Sequence, residues 1–299
     1  MPQMRRRSSS GRRPGLDADP IRAIKGRRVG GESGRHEGSP VSYYLANLPL
    51  SLLITLIVIL PTAAAVVAQA LIHRWVGVER LVQNNEIAGF KFATVGVIYA
   101  VLLAFTVIAV WEKYSEAESA VAQEAGATAA LFRYAEGQEP EAKALRAALV
   151  DYLKATITAE WPKMEEESES RDVGSALTDV YRAAMALNRS GARTNADMAE
   201  VFAQLDNVTA ARRTRLHLAT GLVPSVIWIS LFVGALLTVG FTLFFGSENL
   251  AAQVAMTGML SLLVTMGLVV IVSIDHPFTG PIHIRPHALE AVVADFEKP

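Results

Sequence analysis

Four long apolar stretches, separated by polar segments, set the plan of the sequence. The clearest lies between Lys91 and Glu112, where twenty consecutive residues carry no charge. A helix rises about 1.5 Å per residue, so this stretch covers the roughly 30 Å hydrocarbon core of a bilayer. Similar stretches cover residues 41–72 and 218–247, and a fourth ends at residue 274. The pattern predicts four transmembrane helices.

Small residues recur along one face of the second apolar stretch. Gly96, Ala100 and Ala104 stand four positions apart, which places them in one row on a helix. In lipid, small residues with this spacing let the backbone of another helix come close. The row therefore predicts a helix-packing seam in a bundle rather than a simple membrane anchor.

The region between the second and third apolar stretches is polar but rich in helix signals. Its first part is alanine-rich and contains no proline before Pro140, which itself suits the first turn of a following helix. Thr194 or Asn195 can cap a later helix. Two prolines should disturb helices because proline removes a backbone donor: Pro61 should kink the first span, and Trp161-Pro162 should end or kink a helix of the polar region.

These patterns predict an all-α protein with four transmembrane helices and a cytoplasmic helical domain inserted between helices 2 and 3. The predicted parts are a disordered basic tail (1–40), helices 1 and 2 (41–111), the helical domain (112–221), the helix 3 and 4 hairpin (222–274) and a C-terminal tail (275–299).

The distribution of charge predicts how the chain is oriented in the membrane. The 299-residue chain is 51% hydrophobic with a net charge of −1, yet residues 1–40 hold ten Lys/Arg against four Asp/Glu. Basic residues beside membrane spans accumulate on the cytoplasmic side, which predicts a multi-pass cell-membrane protein with both termini in the cytoplasm. The arginines at 212, 213 and 215 would then mark the cytoplasmic edge of the third span. No aromatic residues are interleaved with the basic tail, so the expected partner is the lipid bilayer, not nucleic acid.

No group of residues predicts an enzyme. The sequence lacks a phosphate-binding glycine loop, a nucleophile elbow and a paired-histidine helix motif, and it contains no cysteine. His283 and His287 have the spacing of a helical ligand pair, but Pro286 lies between them and disfavours one continuous helix. We therefore predict no catalytic residue, no cofactor and no metal site, and we interpret the acidic run 165–169 as solvated surface.

The apolar stretches also carry no ionisable residue near their middle. Coupled pumps and carriers use such groups, so the pattern favours a passive pore or a bundle that only anchors the helical domain. Val97, Val101 and Phe105 form an apolar row on the second helix and could form a hydrophobic constriction if several subunits surround an axis. The alternative is that this row faces lipid or other helices.

The most distinctive string outside the membrane spans is Asp275-His276-Pro277-Phe278-Thr279-Gly280. Asp275 can cap a turn, Pro277 can stop the fourth helix, and Phe278 can pack back on the bundle. Alternatively, Asp275 and His276 lie at the cytoplasmic mouth of a pore, where their charge acts on passing ions.

Several strings together resemble the bestrophin-like family of bacterial membrane proteins, which is defined by a domain of unknown function. The resemblance spans roughly residues 45–290. It rests on Ile98–Phe105 followed by Trp111-Glu112, on Glu124–Arg133, on Arg213-x-Arg215-Leu216 with Pro224 and Trp228, and on Asp275-x-Pro277-Phe278-x-Gly280.

The family is remotely similar to true bestrophins, which are pentameric anion channels with a neck on the second helix. The resemblance therefore implies a homo-oligomeric, passive channel for small anions in the bacterial inner membrane, with Val97, Val101 and Phe105 as the constriction. The acidic calcium-binding cluster of bestrophins is missing after the fourth span, so calcium gating is not expected. The second hypothesis is a non-conducting, membrane-anchored interaction or sensory module.

Overall fold

The computed structural model describes residues 43–45, 47–76, 78–83, 85–137, 139–191 and 193–298. All regular structure in these ranges is helical, which confirms the predicted fold class at this level. The predicted basic tail, residues 1–40, lies outside the described residues.

Four helices are long and apolar enough to cross a membrane, as predicted. They are α1 (Leu50–Val76), α3 (Asn85–Tyr134), α8 (Ser225–Thr242) and α9 (Leu250–Ile274); a short helix, α2 (Val78–Val82), lies between the first two. The 50 residues of α3 extend about 75 Å at 1.5 Å per residue. Since a hydrocarbon core is about 30 Å thick, the polar half of α3 continues well beyond the span.

The remaining described helices pack around that polar half. They are α4 (Pro140–Ala155), α5 (Trp161–Glu165), α6 (Arg171–Ser190), α7 (Asn195–His217) and α10 (His287–Phe296). Their apolar faces share one hydrophobic core with α3, whereas the four apolar helices share another. Thr194 caps α7 through a reciprocal capping box with Asp197, in agreement with one of the two predicted caps. We call α4–α7, α10 and the polar half of α3 the helical lobe.

Both disruptive prolines follow a π-helical turn instead of ending their helices. The turn Thr55–Ile59 precedes Pro61 in α1, and the turn Thr156–Glu160 joins α4 to α5 just before Pro162. A proline ring clashes with the carbonyl four residues earlier in an α-helix. For Pro61 that carbonyl belongs to residue 57, and for Pro162 it belongs to residue 158. Both carbonyls lie inside a π turn, and the wider turn accommodates the ring.

Glycines of α8 and α9 let α3 pack closely within the chain. A methyl group on Gly234 would lie 2.5 Å from the Tyr99 ring, and one on Gly267 would lie 2.7 Å from Leu103. Polar contacts add to this packing between α1 and α9, where Thr257 Oγ1 lies 3.3 Å from Gln69 Oε1. Hydrogen bonds of this kind stabilise helix association in lipid.

Candidate functional site

The predicted constriction lies on a face of α3 that is exposed among the described residues. Val97, Val101 and Phe105 are 63%, 48% and 70% exposed. The opposite face of the helix, which carries Tyr99 and Val110, is buried against the other apolar helices. An apolar strip on a membrane-spanning helix is therefore open to lipid or to another chain.

The predicted helix-packing seam borders this strip. Ala100 and Ala104 are exposed, and no heavy atom lies within 4 Å of the position that a methyl group on Gly96 would take. None of the helices that the structure describes occupies the seam. The close intrachain approaches use the glycines of α8 and α9 instead, so the seam stays a prediction for contacts between chains.

At the far end of α9, Asp275 binds the segment that leads into α8. Its Oδ1 atom accepts hydrogen bonds from the backbone N–H groups of Leu222, at 3.0 Å, and Val223, at 2.8 Å. Asp275 is fully buried, and its carboxylate satisfies two donors that precede the first turn of α8. The geometry corresponds to the capping interpretation, with the difference that Asp275 caps a segment other than its own.

His276 is buried where this segment meets the helical lobe. Its Nε2 atom lies 3.1 Å from Glu167 Oε1, and its Nδ1 atom lies 3.3 Å from Asp275 Oδ2. Glu167 also accepts a hydrogen bond from the backbone N–H of Gly221. The hydrogen bond with His276 lowers the pKa of Glu167 despite its partial burial. A methyl group on Gly221 would lie 2.9 Å from the imidazole, so this close approach requires glycine.

Residues 165–169 are all exposed, as expected for solvated surface, and Glu167 makes specific contacts in addition. Its side chain is only 30% exposed, and its backbone has a positive φ of 55°. A non-glycine residue in this region carries strain, which the contacts with His276 and Gly221 offset. Sequence reasoning could not find these contacts because Gly221 and His276 lie 54 and 109 positions away.

The rest of the C-terminal string packs on the lobe. Phe278 is fully buried and meets the Trp161 ring edge to face, with centroids 5.6 Å apart. The backbone N–H of Ile284 donates to the carbonyl of Pro277 at 2.8 Å, and Gly280 has a φ of 85°. Only glycine adopts this conformation without strain, so Gly280 allows the chain to turn back.

A buried network of charges, which sequence reasoning missed, lies in the helical lobe. Arg215 donates from Nε to Glu124 Oε2 at 2.7 Å and from Nη2 to Glu160 Oε2 at 2.8 Å. Arg212 also pairs with Glu160, and the Tyr152 hydroxyl donates to Glu124 at 2.5 Å. The network joins α3, α7 and the π turn after α4. It also corrects the use of Arg215 as a marker of the membrane edge, because its charge is fully buried and paired.

Burial and ion pairing act in opposite directions on the pKa of Arg215, but burial and the Glu124 charge act together on the pKa of Tyr152. Burial alone would lower the pKa of Arg215, but the neighbouring Glu124 and Glu160 carboxylates raise it above its usual value. Burial, and then the charge of Glu124, raises the pKa of Tyr152 well above its usual value. The tyrosine therefore stays neutral and donates, while the arginine stays charged. The one available signal was that Glu124 and Arg215 belong to the strings that carry the family resemblance.

The histidines of the C-terminal segment do not converge. His283 Nδ1 lies 2.7 Å from the carbonyl oxygen of Gly280, whereas His287 pairs with Glu290 on the surface of α10. Among the described residues, no three His, Asp or Glu side chains lie in an arrangement that could hold a metal ion.

The sequence profile of the Bestrophin-like domain matches residues 59–289. The fold is similar to that of a bacterial bestrophin homologue from Klebsiella pneumoniae. A point-mutated form of that homologue aligns with a TM-score of 0.65 and 16% identity, over 81% of this chain and 99% of the homologue. A second structure of the homologue gives a TM-score of 0.64 at 16% identity, over 80% and 96% of the two chains.

At these identities the structural likeness establishes the fold alone, and no curated protein matches the chain. The family rests on the profile match, which covers more than half of the sequence in one continuous segment. The chain therefore belongs to the bestrophin-like family.

Proposed function

We propose that several copies of this chain form a passive ion pore, with the strip of Val97, Val101 and Phe105 as its constriction. The observation that carries the proposal is the exposure of these apolar side chains on α3, the long helix whose apolar half continues into the helical lobe. Apolar constrictions gate pores by excluding water. A single chain has too few helices around this strip to enclose a pathway, so the pore needs a symmetric homo-oligomer.

Small anions are the proposed permeant species, because the family is remotely similar to anion-conducting bestrophins. The strip itself carries no charge, so it would act as a gate and not as a charge filter. Membership of the bestrophin-like family favours this function over a non-conducting interaction or sensory module.

The Gly96, Ala100 and Ala104 seam has a place in this assembly. It borders the strip and is open in the single chain, so a neighbouring copy could pack its helix there at short distance. The same geometry turns the strip toward the common axis. The seam thus supplies the contact that the pore requires.

The proposed orientation puts the helical lobe (112–221), the C-terminal segment (275–299) and the basic tail (1–40) in the cytoplasm of a bacterium, with the four helices in its inner membrane. The excess of basic residues in the tail supports this side. Arg213 is exposed next to the third span and also fits it, whereas the buried Arg215 carries no weight in this argument.

The test is the current through purified protein reconstituted in liposomes with a salt gradient. We expect a reversal potential near the anion equilibrium potential and a larger current for Phe105→Ala. Leu263→Ala is the matched control, because Leu263 is equally exposed, at 70%, on α9. If neither the wild-type chain nor Phe105→Ala conducts, the pore proposal is wrong; a cation reversal potential would refute only the choice of anions.

A further inference from the structure

The exposed face of α3 that carries the strip continues beyond the strip in both directions. Successive residues of a helix are rotated by about 100°, and α3 is one continuous helix from Asn85 to Tyr134. Lys91, fourteen positions before Phe105, therefore lies within about 40° of it around the helix axis. Glu112, seven positions after Phe105, lies within about 20°. Both charged residues are exposed, so one face carries a cation, the apolar strip and an anion in this order.

The two charges lie at opposite ends of the apolar stretch. At about 1.5 Å per residue, Lys91 is about 21 Å from Phe105 in one direction along α3, and Glu112 is about 10 Å from it in the other. The twenty residues between Lys91 and Glu112 carry no charge. The face therefore has one fixed charge at each end and none in between.

Neighbouring charges of α3 do not cancel these two. Glu86 lies about 140° around the helix from Lys91, on a different face. Lys113 and Glu116 follow Glu112 but form an ion pair with each other at 2.7 Å. Among the residues that the structure describes, neither Lys91 nor Glu112 forms an ion pair within the chain. The end of the face at Lys91 is therefore positive and the end at Glu112 is negative.

We propose that these two residues make the proposed pore rectify, so that it passes more current when the side of the helical lobe is electrically positive than when it is negative. The inference rests on the proposed function, because only several copies around an axis turn Lys91 into a ring of positive charge at one mouth and Glu112 into a ring of negative charge at the other. A ring of fixed charge concentrates ions of the opposite sign and repels ions of its own sign.

The direction of rectification follows from the order of the two rings. With the lobe side positive, anions enter past Lys91 and cations enter past Glu112, so each kind of ion enters at the mouth that concentrates it. With the opposite voltage, each kind of ion enters past a ring of its own sign. The direction is therefore the same for anions and for cations, and it does not depend on which of them permeates.

The size of the effect depends on the salt concentration. A unit charge about 8 Å from an ion in water changes the local concentration of that ion about twofold. Screening reduces this effect in 0.1 M salt, where the Debye length is about 10 Å, whereas the several copies of each ring act together. We expect the currents at opposite voltages to differ about twofold or more in 0.1 M salt. In 1 M salt the Debye length is about 3 Å, and the ratio of the currents should be close to one.

The test is the current through the purified full chain in planar bilayers, with the same salt on both sides. Symmetric salt sets the reversal potential to zero, so the shape of the current–voltage curve reports the asymmetry of the pore alone. A tag after α10, which belongs to the lobe, allows vesicles that present the lobe outward to be selected on an antibody resin before fusion. The lobe side of every pore is then known.

The variants change the charges without changing the apolar strip. Lys91→Gln and Glu112→Gln should each lower the ratio of the currents, and the exchange Lys91→Glu with Glu112→Lys should reverse the direction of rectification. Glu118→Gln is the matched control, because Glu118 is also exposed on α3 but lies about 140° around the helix from Phe105. We expect this control to leave the ratio unchanged.

Four results would each overturn the proposal: equal currents at opposite voltages, the same ratio in 0.1 M and 1 M salt, an unreversed direction in the exchange variant, or an equal loss in Glu118→Gln. The comparison of salt concentrations uses the unaltered chain, so it does not depend on the folding of a variant. All chains are also measured with Phe105→Ala. A symmetric current through Phe105→Ala would refute rectification alone, whereas no current with or without this substitution would refute the pore and rectification with it.

Discussion

Replacing Arg215 with methionine removes the centre of the buried charge network and keeps a side chain of similar length. The variant leaves Glu124 with the Tyr152 hydroxyl and Glu160 with Arg212. Both carboxylates stay at zero exposure, so neither can regain the water that it lost on folding. We expect the helical lobe to be strongly destabilised.

The size of the effect follows from the contacts of Arg215. Three of its hydrogen bonds end on carboxylate oxygens, at 2.7, 3.1 and 2.8 Å. At about 1.5–3 kcal/mol for each bond to a charged group, the gross loss is about 4.5–9 kcal/mol. The partners that Glu124 and Glu160 keep reduce this loss toward the roughly 3–5 kcal/mol typical of a broken buried pair. At about 2–4 °C per kcal/mol, the expected decrease in Tm is about 6–20 °C.

The assay is thermal unfolding in detergent, followed by circular dichroism, with Arg213→Met as the matched control. Arg213 lies two positions away on the exposed side of α7, where a substitution changes stability by about 0.5 kcal/mol or less. Arg215→Lys keeps the charge but loses the planar, two-pronged contact with Glu124, so its Tm should lie between the other two. If Arg215→Met and Arg213→Met unfold at the same temperature, the network does not stabilise the lobe as argued here.

Three further predictions test other contacts. Thr194→Ala should cost about 1 kcal/mol of unfolding free energy through loss of the capping box, measured by denaturant titration; no change would contradict the cap. Gly234→Ala should lower Tm because its methyl group meets Tyr99, whereas Gly240→Ala should not; equal Tm values would argue against the close packing. The lowered pKa of Glu167 means that its contribution is present above its ordinary value of 4.5 and is lost as the pH falls below it. Unfolding of Glu167→Gln should therefore depend less on pH in this range, and an identical pH profile would refute the contact.

Local patterns predicted the four long apolar helices correctly, but not the short helix α2 (Val78–Val82), which lies in a predicted loop. The four apolar stretches could be recognised from their length and composition alone. The cap at Thr194 could be recognised from the residue type that precedes a helical pattern. The sequence predicts a kink at Pro61, whereas the structure has a π turn before it. A sequence pattern does not show whether a helix adapts to proline by bending or by forming a π turn.

The contacts that join distant segments could not be predicted. Arg215 lies 91 positions from Glu124 in sequence, and a sequence pattern does not distinguish a buried, paired arginine from the more common exposed ones. The contacts of Glu167 with Gly221 and His276 span 54 and 109 positions and could not be predicted either. The predicted constriction depends on contacts between chains, so its residues could be placed on a face of α3 from periodicity, but their function stays a proposal.

In the proposed pore, the strip on α3 lines a pathway for ions. The most direct measurement uses the absence of native cysteines: a charged, membrane-impermeant thiol reagent is added to reconstituted Phe105→Cys while the current is recorded. We predict that the reagent changes the current through Phe105→Cys and leaves that through Leu263→Cys unchanged. An unaltered current in Phe105→Cys, or an equal change in both variants, would contradict the account.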